Sequence, residues 1–319
     1  MKNTTFLLMI IGLISAFFFS STFILNRAMA VEGGHWFWSA SLRYSYMLLF
    51  LSLTLILTKG FLYLKNLVSE FLKNYAFWIL SGSIGFGCFY ALLCFSAATS
   101  PGWVVAATWQ LTIVASLFIL TAFGKKISKL TWLFSIIILT GVSLVNLSQF
   151  EPSNVEKLLF NVLCIVIAAF CYPLGNQLVW EATNNRSGLP KISSAIADNA
   201  FAKVSLMSLG SFPFWIILFF CLDVSVPSEG QLINVAIVAI LSGVLATPIF
   251  LYARNKADTP RKLAAVDASQ SGEVIFALGG EVLFLGTAYP NMVGITGLLL
   301  TILGLSAMVY FDRPVKNNS

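Results

Sequence analysis

Charge is scarce in this chain: Asp, Glu, Lys and Arg make up only 10% of its 319 residues. A soluble globular domain carries about 25%, so a freely soluble fold is excluded at the outset. Histidine occurs once, as His35 beside Trp36 and Trp38, and one imidazole does not make a metal site. The five cysteines, Cys88, Cys94, Cys164, Cys171 and Cys221, form no CxxC pair and fall in apolar runs, where they read as buried small hydrophobes. Walker, GxGxxG, GxSxG and HExxH patterns are missing, and Gly85-Phe86-Gly87 lacks the third glycine of a dinucleotide loop. The longest connection between apolar runs, 181–200, is too short for a separate folded module. No cofactor, metal centre or enzyme of the usual soluble kinds is expected, and any function must lie in the apolar segments.

What is present in quantity is hydrophobic residue, 58% of the chain, with a mean hydropathy of +0.87. Segments long enough to cross a bilayer read at 6–29, 37–58, 75–97, 102–123, 131–149, 158–180, 201–222, 233–254, 264–286 and 292–311. The expected fold is therefore an all-α membrane protein of ten transmembrane helices. Sixteen of the nineteen basic residues then fall on one side, Arg27, Arg43 and Lys157 being the exceptions, which predicts a multi-pass plasma-membrane protein with both termini cytoplasmic. The net charge of +6 is accounted for by these anchors beside acidic lipid, without a nucleic-acid partner. Ala28-Met29-Ala30 has the form of a signal-peptidase site, but the apolar run before it is longer than a signal core and Arg27 immediately precedes it. That segment is expected to stay as the first span.

The ninth segment holds the most costly residue. In VDASQSGEVIFALGGEVLFLG (266–286), Glu273 falls within about 3 Å of the bilayer midplane. A charge there costs roughly 2.5–3.5 kcal/mol on insertion scales, so it faces a polar cavity, a partner or a proton path. Ser269, Gln270 and Ala277 share its face, while Gly272, Gly279 and Gly280 permit close helix contact. This helix is expected to line a substrate site.

Internal repetition is faint. Gly124 and Gly141 frame the turn from the fourth segment into the fifth, and Gly286 and Gly304 frame the turn from the ninth into the tenth, with LTGVSLV and ILGLSAM at the distal glycines. A five-helix unit crosses the membrane an odd number of times, so a second copy enters upside down. Two inverted repeats, 5–150 and 157–312, are expected, with a site at the midplane between them.

At this point the chain resembles the ten-helix, EamA-type branch of the drug/metabolite transporter superfamily, and within it the multidrug resistance efflux transporters. The likeness rests on SSTFILNRAMA (20–30), GGHWFWSASLRYSYM (33–47), the glycine-bounded ends of the fourth and ninth segments, and GEVIFALGGEVLFLG (272–286). The family often has Glu-Pro where this chain has Glu273-Val274. The resemblance implies a central cavity surrounded by segments 1–4 and 6–9, with segments 5 and 10 peripheral, and it implies export of drug-like compounds.

Other candidates follow from depth and neighbours. Arg43 and Glu281 lie about 9 and 8 Å below the outer helix ends, and a structural ion pair between the halves is expected for them. Tyr90, Trp109 and Tyr172 are favoured cavity aromatics; Gln110 follows Trp109, and Tyr172-Pro173-Leu174-Gly175-Asn176 interrupts the sixth segment. Proline there frees a backbone carbonyl and makes a hinge. A carboxylate with aromatic faces suits an organic cation, and a cation and a proton can compete for Glu273. The expected substrate-binding or proton-binding set is thus Glu273, Trp109, Gln110, Tyr90, Tyr172, Asn176 and Gln270. The expected activity is secondary, proton-coupled export of small cationic compounds, by a monomer or a homodimer. An exporter of amino acids or other metabolites without proton coupling is the alternative; a lipid-modifying enzyme fits less well, because it needs a cluster of acidic, His or Ser groups at one depth.

Overall fold

Lipid cannot hydrogen-bond the backbone, so a chain this apolar must satisfy its own amides inside helices. The computed structural model describes residues 2–258 and 260–311, and among the described residues there are helices and turns but no strand. Among the described residues, eight helices are long and apolar enough to cross a membrane, and Met292–Met308 forms a shorter apolar helix.

In chain order, α1 is Lys2–Val31 and α2 is Trp36–Lys59. Gly33 takes φ +86° in the turn between them. His35 then N-caps α2, its Nδ1 accepting from the Phe37 amide at 3.2 Å. α3, Phe61–Lys73, was not expected from hydropathy. It buries Leu67 and Glu70 and leaves Phe61, Leu62 and Leu72 exposed beside Lys65 and Lys73. That mixture suits a helix lying in the interface plane.

α4 is Tyr75–Thr99, with a π-helical stretch over Ser83–Cys88. α5 is Gly102–Ala122, interrupted at Gln110, and α6 is Lys129–Leu147. α7, Val155–Thr183, contains Pro173, and α8, Ala200–Cys221, contains Pro213. α9 is Glu229–Arg254, with a π-helical stretch over Ala239–Ala246. The ninth segment is not one helix. It is α10, Pro260–Ser269, followed by α11, Gly272–Leu285, broken at Gln270-Ser271. The chain ends its described part with α12, Met292–Phe311.

Small residues set the closest approaches, as expected where lipid gives no hydrophobic drive between helices. Gly85 of α4 and Gly175 of α7 abut; a Cβ on Gly85 would come within 3.0 Å of the Gly175 Cα. α6 and α12 pair along their length, with Gly141, Gly297 and Gly304 facing Thr301, Val145 and Ile138. The largest core gathers Tyr44, Trp78, Tyr90, Ile165, Leu206, Trp215 and Ala277 from α2, α4, α7, α8 and α11. The cysteines are less uniform than the apolar runs imply: Cys94 and Cys164 are buried and Cys221 is exposed, while the Cys88 and Cys171 sulfurs lie 3.6 Å apart.

Candidate substrate cavity

The break between α10 and α11 positions Glu273. Its amide donates to the Gln270 carbonyl at 3.0 Å, a tighter turn than an α-helix makes, and the Gln270 Nε2 donates to the Gly12 carbonyl of α1 at 3.0 Å. Gln270 therefore ties the break to α1 instead of lining open space with a free amide. On the turns that follow, Gly272 and Gly280 face Leu13 and Ile24 of α1, while Val274 packs with Trp103, Val104 and Ala107 of α5. Glu273 shares a helix face with Ala277 and is half-buried, and among the described residues its carboxylate makes no hydrogen bond or ion pair.

Three rings from other helices pack against one another. Phe89, Trp109 and Tyr172 come from α4, α5 and α7, with centroids 4.8, 5.0 and 5.6 Å apart. Tyr172 is 38% accessible and lies within electrostatic reach of both Glu273 and Arg43. Pro173 removes the amide that would bond to the Ala169 carbonyl; the Thr112 hydroxyl of α5 donates to that carbonyl at 3.1 Å instead. Asn176 donates to the Tyr172 carbonyl at 2.8 Å, which commits its amide to the helix. Gln110 is buried at the interruption of α5, its Nε2 donating to the Ala106 carbonyl at 3.3 Å.

A second polar centre surrounds Tyr90. Its hydroxyl accepts from Asn26 Nδ2 of α1 at 3.0 Å, and the Arg43 guanidinium stands 4.2 Å from its ring centroid, a cation–π geometry. Arg43 also donates to Ser242 Oγ of α9 at 2.9 Å. The expected Arg43–Glu281 pair does not form. Glu281 is fully buried and accepts from the amides of Gly102 and Trp103 at 2.8 and 2.7 Å. These are free donors at the start of α5, where the helix dipole also favours an anion. Arg27, not Arg43, supplies the nearby positive charge. Its Nη1 donates to the Ala97 and Ala98 carbonyls at the end of α4, both at 3.2 Å.

The two faces of the molecule differ. At the Trp36 face, Gln231 Nε2 donates to the His35 carbonyl and Ser39 Oγ, both at 2.9 Å, Trp38 Nε1 donates to the Ser225 carbonyl at 2.6 Å, and Thr99 donates to Asn161 Oδ1 at 2.7 Å. At the basic face a cleft of about 690 Å³ opens between Lys59, Tyr63, Asp198, Phe201 and Tyr252.

The sequence singled out Glu273 and two of the three clustered rings, Trp109 and Tyr172. It missed Asn26, Thr112 and Ser242, small polar residues that apolar text hides. Thr112 had one signal, the proline-freed carbonyl, which needs a donor from a neighbouring helix.

Among the described residues, an all-helical bundle with apolar spans around polar groups defines a polytopic membrane protein. The chain belongs to the EmrE family, described as "Putative multidrug resistance efflux transporter", whose model matches residues 6–314. "Uncharacterized protein YjlA" of Bacillus subtilis (strain 168) is 39% identical over 323 residues, covering 96% of this chain and 95% of that protein. A 42.1 kDa Shouchella clausii protein, from the region 3′ of an intracellular alkaline protease, is 38% identical over 278 residues, covering 83% of this chain and 69% of its own. One solved crystal structure aligns with a TM-score of 0.58 over 94% of this chain and 95% of that one; at 14% identity it speaks for the fold alone.

Proposed function

We propose that this chain is a secondary active exporter that moves small organic compounds carrying a cationic group in exchange for protons, with Glu273 as the shared binding group. The observation that carries the reading is the half-buried Glu273 carboxylate at a helix break, without a partner among the described residues. Intramembrane carboxylates without partners are functional by default, and a broken helix at membrane depth is tolerated where it lines a cavity. Tyr172 and the rings of Phe89 and Trp109 supply aromatic faces for an organic cation. An enzyme is disfavoured because no group of three or more His, Cys, Asp or Glu side chains gathers among the described residues.

Two inverted five-helix repeats, 5–150 and 157–312, making ten spans, are part of the proposal. Matched irregularities support it. The third and eighth spans each carry a π-helical stretch, the fourth and ninth each break at a glutamine, and the fifth and tenth pair with each other. With both termini cytoplasmic in the plasma membrane, the basic-face cleft is the cytoplasmic entrance and the bonded Trp36 face is the closed outer gate. Alternating access then exchanges which face is sealed.

The test is proton release on binding of an organic cation to purified protein in detergent. Wild type should release protons and bind more tightly as pH rises, because the proton and the cation compete for one carboxylate; Glu273→Gln should do neither. Tyr172 is the ionisable side chain within electrostatic reach of Glu273, and Tyr172→Phe should retain the pH dependence. Unchanged proton release from folded Glu273→Gln would refute the coupling role.

A further inference from the structure

Arg43 is half-buried at membrane depth and no carboxylate pairs with it among the described residues. Its Nη2 goes to Ser242, but its Nε is buried without any partner. The Asn26 Oδ1, 3% exposed as a residue, is equally without a partner. The two orphans are joined through Tyr90, which takes the Asn26 amide on its hydroxyl and the guanidinium over its ring. A donor and an acceptor left unpaired in one buried cluster cost free energy unless something fills them, and an unpaired guanidinium repels a simple cation.

The second charge is Glu273, also unpartnered. Arg43 lies seven residues in from Trp36 along α2, and Glu273 twelve residues in from Leu285 along α11. At 1.5 Å per residue these depths differ by about 8 Å. Tyr172 is within reach of both, and its ring continues into Phe89 and Trp109. A guanidinium and a carboxylate at different depths, with an aromatic wall at hand, read as two ends of one ligand.

We propose that the region between Arg43 and Glu273 takes zwitterions whose anionic and cationic groups are separated by a flat apolar body, the anionic end at Arg43 and the cationic end at Glu273. This rests on the export reading and narrows its substrate class. Arg43 offers planar paired donors to a carboxylate, a geometry lysine lacks. Asn26 Oδ1 accepts from the ligand's polar edge or from a water that accompanies it.

The experiment is equilibrium dialysis of radiolabelled para-aminomethylbenzoate, benzylamine and benzoate against purified protein, with uptake of the first two into proteoliposomes. The zwitterion should bind at least about tenfold more tightly than benzylamine or benzoate, each of which leaves one buried charge unpaired. Arg43→Met should abolish that advantage and Arg43→Lys restore only part of it, while benzylamine still binds both variants, which shows that they are folded. Benzylamine binding as well as the zwitterion, or better, would overturn the zwitterion class while leaving cation export standing. Failure of all three to bind folded wild type overturns the zwitterion class. Binding of the zwitterion without uptake, in proteoliposomes carrying a proton gradient, would uphold the site and refute export.

Discussion

Arg27 and Glu281 grip the same turn from its two ends, the guanidinium on the last carbonyls of α4 and the carboxylate on the first amides of α5. Each side chain answers the partial charge of the helix terminus it meets. The turn at Ser100-Pro101 is thereby tied to α1 and α11, and the bonded Trp36 face owes part of its closure to these two residues. Glu281→Ala strands two buried amides and should lower stability by about 3–5 kcal/mol, the range for one partner lost from a buried charged set. Glu281→Gln keeps one acceptor and should lose less. Chemical unfolding in detergent measures both, and equal losses would show that the bonds to Gly102 and Trp103 contribute nothing.

Because Arg43 and Glu281 hold different partners, their variants should combine additively. The coupling energy for Arg43→Ala with Glu281→Ala should fall within about 0.5 kcal/mol of zero. A coupling of 2 kcal/mol or more, a size typical of about one buried charged contact, would mean that the two side chains meet.

Thr112→Val removes the donor that covers the Ala169 carbonyl and should cost about 1–2 kcal/mol. In a Pro173→Ala background the residue 173 amide is restored and can take that carbonyl itself. The Thr112→Val cost should then shrink, and an undiminished cost would rule out the compensation.

His35 lies in the turn before α2, and partial burial holds its imidazole below the ordinary histidine range. The cap needs a neutral Nδ1, since only an unprotonated nitrogen accepts from the Phe37 amide. With the folded value depressed, the contribution is complete above the unfolded value and is lost as pH falls through the folded one. Thermal stability of wild type should therefore drop as the pH falls through the histidine range more steeply than that of His35→Ala. Parallel curves for the two proteins would count against the cap.

Cysteine introduced at Ser69 or Lys126 should react with a membrane-impermeant maleimide from the cytoplasm, and at Ser153 or Val226 from outside. Reaction of any of the four from the opposite side would break the termini-inside arrangement.

The hydropathy of this chain determined that it spans a membrane in helices, because burying a backbone in lipid is a local demand that each apolar run meets by itself. It also marked Glu273, since one carboxylate inside such a run stands out against its neighbours. The partners of the buried charges were decided only by the tertiary structure. Equal depth suggested Arg43 for Glu281, but depth fixes one coordinate and leaves open which helices are adjacent. The neighbouring start of α5 offered Glu281 two unsatisfied amides at under 3 Å. Hydropathy likewise treated 264–286 as one span, whereas Gln270 anchors to Gly12 across 258 residues of chain and breaks the helix there. The interface helix α3 escaped for a related reason: its apolar residues answer to a boundary between lipid and water, which a search for uninterrupted apolar length does not register.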